Sequence, residues 1–141
     1  MSKLIMAELA LASIFLLFFI LFIAYRLFSR RLKKPKFVLR WRELQLYCRD
    51  KTTWPQALRA ADKLLDKALR KKRIKGKSMG ARLVSAQRLF TDNDDVWQAH
   101  NLVKQLNERP DKVKLNESVV KEALISYREA LKDIGALPND K

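Results

Sequence analysis

The 141-residue chain has one cysteine, one histidine, three glycines and four prolines. One cysteine excludes an intramolecular disulfide and every multi-cysteine zinc or iron–sulfur site. One histidine, with no second metal-type ligand near it, argues against a metallohydrolase, and nothing else in the sequence implies a cofactor. So few glycines and prolines leave few tight turns, which argues against a many-stranded sandwich or barrel. No segment alternates apolar and polar residues for long enough to make a strand. Serine and cysteine lack a base placed by sequence, and the acids read as helix-face charges, so nucleophilic and acid–base chemistry have no obvious home.

What is present is unevenly spread. Leu9 to Tyr25 carries no charge, and residues 26–77 hold 19 Lys+Arg against 4 Asp+Glu. The formal net charge of +15 lies in that middle third, the two flanking zones each being neutral. Localised positive charge points to attraction toward an anionic surface.

Residues 1–25 read as an uncleaved transmembrane anchor. With Leu4–Ala7 the apolar run reaches about 20 residues, enough to cross a bilayer core as a helix. Its Phe and Leu content is too high for a soluble amphipathic helix, and no small-residue cleavage site precedes the basic block. Arg26, Arg30, Arg31, Lys33, Lys34 and Lys36 crowd one end, with only Lys3 at the other. The positive-inside rule then sends the chain after Arg26 into the cytoplasm of an inner-membrane, single-pass protein with its N-terminus outside. Residues 26–36 read as a basic juxtamembrane linker lying against anionic lipid headgroups, interrupted at Pro35. In a reducing cytoplasm Cys48 stays a free, half-buried thiol, and the sequon Asn116-Glu117-Ser118 goes unused, leaving Asn116 as a helix cap.

Residues 37–141 predict a cytoplasmic bundle of four to five helices. Phe37–Cys48 places Val38, Trp41, Leu44 or Gln45, and Cys48 at helical spacing. Thr53 with Gln56 reads as a capping box, with Pro55 in the first turn of a strongly amphipathic helix from Trp54 to Leu69. Ser78 caps a short helix carrying Met79, Leu83, Ala86, Leu89 and Phe90. The acids of Thr91–Asp95 open the next, which runs from Val96 to Leu106. Asn116 opens the last, and Gly135 stops it. The aromatic residues sit on apolar stripes and read as core, and His100 as a satisfied, partly buried histidine.

Two local motifs bear on function. Lys75-Gly76-Lys77-Ser78 resembles the second half of a phosphate-binding loop, but position 71 is lysine rather than glycine and a helix precedes it, so the backbone does not wrap a phosphate in that manner. The basic run Arg70, Lys71, Lys72, Arg73, Lys75 and Lys77 lies about 45 residues beyond the anchor, too far to be explained as topology setting. Three readings stand for it: docking on anionic lipid or an unknown acidic protein partner, tethering of RNA or DNA, and a solvated helix end. Aromatics interleaved with the run, the usual aid to single-strand stacking, are missing. Pairing of two copies through a helix face is a further option.

Ala61-Asp62-Lys63-Leu64-Leu65-Asp66, Gly76-x-x-x-Gly80-x-Arg82-Leu83, Phe90 and Trp97-x-Ala99-His100 resemble a family of uncharacterised membrane-anchored helical proteins of small-genome bacteria. More remotely, residues 54–137 resemble HEPN bundles, many of which are RNases. The resemblance implies a four-helix bundle. In the membrane-anchored family an Arg and a His follow the W-x-A-H segment, at positions where this chain has Val103 and Glu108. The catalytic roles therefore do not carry over, and the resemblance implies a catalytically dead copy. With the anchor and the basic run, the chain reads as a membrane-tethered, non-catalytic interaction module, with a HEPN-type RNase as the remote alternative.

Overall fold

In the computed structural model, which describes residues 1–29 and 32–140, there are six α-helices and, among the described residues, no strand: α1 (Ser2–Ser29), α2 (Lys34–Leu46), α3 (Trp54–Lys71), α4 (Met79–Ala86), α5 (Asn93–Glu108) and α6 (Glu117–Asp133). Two compact units divide between residues 31 and 32.

The first unit is α1. Its side chains are exposed from Ser2 to Phe28, and it is long and apolar enough to cross a membrane. The Arg26 guanidinium lies 5.5 Å from the Phe22 ring centroid, a cation–π contact at the basic end.

In the second unit α3 is the central helix, packing against α2, α4, α5 and α6. Its apolar stripe buries Ala57, Leu58, Ala61, Leu64, Leu65, Ala68 and Leu69. Each of those four leucines contributes about 2 kcal/mol on leaving water, and the three alanines let neighbouring backbones come close. Phe37, Trp41 and Leu44 of α2 complete one side of the core, and Val96, Val103, Leu106, Val120, Tyr127 and Leu131 the other.

The sequence periodicity locates these helices, with four local differences. The basic linker is mostly helical: α1 continues to Ser29, and α2 begins at Lys34 with Pro35 in its first turn, where no N–H is needed. Arg30 and Arg31 fall outside the described residues. The capping box at Thr53 is absent. A 3₁₀ turn at Lys51–Thr53 leaves Thr53 near ψ 0°, and its hydroxyl donates back to the Tyr47 and Asp50 carbonyls at 2.6 and 3.0 Å. Helix α4 stops at Ala86 and a 3₁₀ turn follows, so Leu89 faces solvent while extended Phe90 stays in the core. Beyond Gly135, Ala136 and Leu137 are also buried. The Ser78, Asp92 and Asn116 caps accept from the backbone N–H three residues on, at 3.1, 3.1 and 2.9 Å.

Helices α3 and α6 end alike. In α6 the N–H groups of Gly135 and Ala136 reach the carbonyls of Lys132 and Leu131, with Gly135 at φ 80°. In α3 Arg73 and Ile74 reach Arg70 and Leu69 in the same pattern, but the left-handed residue is Arg73, at φ 58°. A side chain in that conformation costs about 1 kcal/mol relative to glycine. Arg73→Gly is therefore expected to raise the stability of the helical domain by about 1 kcal/mol, and Gly135→Ala to lower it by a similar amount. Urea titration of the full chain in detergent, followed by tryptophan fluorescence, reads both.

Candidate functional site

The basic run occupies the end of α3 and the loop into α4. Lys71, Arg73, Lys75 and Lys77 are exposed, Lys72 is half-buried, and Ile74 between them turns inward against the core. Arg70 bends back along α3 onto Asp66, Nε to Oδ2 at 2.9 Å, so part of its charge is already matched. Of the six residues of the run, Arg70 is exposed as well but carries this ion pair, and Lys72 is the one that is half-buried.

The loop is held from inside. Arg82 of α4 is only 5% exposed, yet it carries a guanidinium. It meets Asp66 twice, Nε and Nη2 each 2.6 Å from Oδ1, and its Nη1 donates to the Gly76 carbonyl at 2.7 Å. A buried cation needs such a carboxylate plus further acceptors to offset its lost hydration. Gly76 supplies one because its backbone lies against the start of α4: a Cβ there would fall 2.6 Å from the Arg82 nitrogen and 2.8 Å from the Ala81 carbonyl carbon. Only glycine permits that approach. The alternation then follows: Ile74 and the Gly76 carbonyl face the fold, while Arg73, Lys75 and Lys77 face solvent.

A second polar cluster lies one turn earlier on α3. Asp62 Oδ1 accepts the Tyr127 hydroxyl at 2.9 Å and stands 2.8 Å from His100 Nδ1, a contact that is a hydrogen bond when that nitrogen carries the proton. Trp97 meets the His100 ring edge-on at 6.1 Å. The Tyr127 hydroxyl is pushed well above its ordinary value, first by burial, then by the Asp62 charge and the hydrogen bond to it. The expectation of a satisfied, partly buried His100 is met.

The sequence reading missed both clusters. Asp62 and Asp66 are four residues apart, immediately beside the buried stripe, so they point along one edge of α3 toward α4, α5 and α6. That spacing was the available signal; the partners, 16 to 65 residues away, were not. Asp62, Asp66, Gly76, Arg82 and His100 all belong to these two clusters. Among the described residues there is no group of three or more His, Cys, Asp or Glu side chains able to hold a metal. Of the membrane-flanking residues, Arg26, Lys33, Lys34 and Lys36 are exposed. Val103 is in the core, and Glu108 is exposed at the end of α5.

Asp66→Asn should cost about 3 kcal/mol, because it leaves the buried Arg82 without its counter-charge. Arg82→Met should cost less, since Asp66 keeps Arg70; chemical denaturation compares them. Tyr127 adds a pH dependence. Below its ordinary value of 10.0 the hydroxyl is protonated folded or unfolded. Above it the unfolded chain loses that proton while the buried hydroxyl keeps it, so stability falls as pH rises, by up to about 1.4 kcal/mol per pH unit. Tyr127→Phe should flatten that alkaline slope in the same titration.

Compared with known proteins, the chain matches no family model, no curated protein and no solved structure.

Proposed function

We propose that this chain is a membrane-tethered, non-catalytic docking module: α1 crosses the bilayer once, and the helical domain presents the loop 71–77 to anionic lipid headgroups. The observation that carries this reading is the loop itself, a row of exposed Lys and Arg side chains pinned from below by Ile74 and by the Arg82–Gly76 hydrogen bond. A pinned loop loses little conformational freedom on binding, so its charges act together. Each cation near an anionic bilayer contributes about 1 kcal/mol at low salt. Lipid is favoured over single-stranded nucleic acid because Ile74, the one apolar side chain of the loop, is turned into the fold and offers no stacking surface.

The topology belongs to the same proposal: N-terminus outside, helical domain in the cytoplasm, by the excess of Lys and Arg after α1. The non-catalytic reading is supported by the positions where the resembling membrane-anchored family carries Arg and His. Val103 is buried, Glu108 lies more than two turns beyond His100 on α5, and His100 Nδ1 is engaged by Asp62.

The test uses the full chain in nanodiscs, with lysine acetylation by a neutral reagent read residue by residue in a mass spectrometer. Lys71, Lys75 and Lys77 should react several-fold more slowly in discs containing phosphatidylglycerol than in phosphatidylcholine alone, relative to exposed Lys104 and Lys114. High salt should erase the difference. Equal rates in both discs would refute lipid docking. Protection by duplex DNA or RNA in phosphatidylcholine discs, without protection by phosphatidylglycerol, would move the loop to nucleic acid. Changing Lys71, Lys72, Arg73 and Lys75 to Glu should abolish binding under either reading. Surface labelling of a C-terminal tag on intact cells would overturn the topology.

A further inference from the structure

A separate feature lies between the end of α2, the start of α3 and the outer face of α6. It is a cleft of about 660 Å³. Trp41, Leu44, Trp54, Val120, Leu124 and Ile125 form its bed. That volume and a mainly apolar and aromatic lining are those of a small-molecule site.

Three observations define what would fit. The rim is cationic: Arg49, Lys51, Lys121 and Arg128 line it, with Glu117 the only acid in the lining. Arg128 is paired with Asp140 at 3.0 Å, so the rim's excess positive charge comes from Arg49, Lys51 and Lys121. Trp41 in the bed is itself buried, 8% exposed, so the floor of the cleft is closed by an aromatic side chain. Ile125, 49% exposed, extends the apolar bed outward, so the cleft runs from apolar floor to charged edge.

We propose that this cleft binds a single-chain anionic amphiphile, its acyl chain on the apolar bed and its carboxylate or phosphate monoester at the cationic rim. A neutral chain would leave the rim unmatched, and a compact hydrophilic anion would leave the bed unfilled. The site is distinct from the loop 71–77 and stands or falls independently of it.

Cys48 lines the same cleft and is the chain's only cysteine, so its labelling reports occupancy without ambiguity. Burial holds the thiol above its ordinary pKa, so its reaction is slow enough to follow. The full chain in phosphatidylcholine nanodiscs is treated with N-ethylmaleimide in the presence of oleate, oleoyl lysophosphatidate or oleyl alcohol. Either anion should slow labelling about fivefold at high occupancy, and the alcohol should leave it unchanged. Protection by one anion alone supports the site and fixes the head group. Equal protection by the alcohol, or protection by neither anion, overturns the proposal. So does an acidic amphipathic peptide that protects where both amphiphiles fail. Ile125→Glu, at an exposed position that leaves the core intact, should abolish protection; retained protection places the ligand elsewhere and overturns the assignment. Replacing Lys71, Lys72, Lys75 and Lys77 with Glu should leave protection as it was, and its loss would likewise overturn the assignment.

Discussion

A guanidinium at the bottom of a small helical bundle has to be neutralised, and the architecture around α3 and α4 answers that constraint. Arg82 needs Asp66 to stay charged and buried, and the Gly76 carbonyl accepts from the nitrogen that Asp66 does not reach. Those contacts tie the middle of α3, the loop after it and the body of α4 into one unit. The cationic loop therefore behaves as part of the framework. Its display of Lys and Arg on one side follows from what is fastened on the other.

The Asp62 cluster applies the same logic one turn away. A carboxylate shared by Tyr127 and His100 joins α3 to α5 and α6. Arg59 adds another tie, donating to Asn107 and to the Leu106 carbonyl at 2.7 and 3.1 Å. Along one edge of α3, polar groups set which neighbour lies where; along the stripe beside it, leucine and alanine supply most of the burial. Apolar contacts tolerate sliding, whereas directional hydrogen bonds do not.

Helix positions were legible in the sequence because they depend on local periodicity and on caps such as Ser78, Asp92 and Asn116, whose donors lie three residues away. The apolar α1 was legible for the same reason. The polar clusters were not. Asp66 and Arg82, or Asp62 and Tyr127, are joined by the fold alone, and an Asp on a helix edge looks the same whether it faces water or a buried arginine. Thr53 illustrates the opposite error. Its local pattern matched a cap, but the preceding 3₁₀ turn gave its hydroxyl two nearer carbonyls. The cleft beneath Trp41 was equally invisible, since its walls come from three helices whose juxtaposition no spacing encodes.

Arg73 sets two demands against each other at a single position. Glycine would suit the left-handed backbone, whereas a cation suits a loop that presents positive charge. No residue satisfies both, so stability and charge display trade off there. Across substitutions at position 73, the order that ranks fold stability, with glycine first and asparagine next, inverts the order that ranks electrostatic potential over the loop. The chain sits at the charged end of that series and accepts a weaker helix terminus.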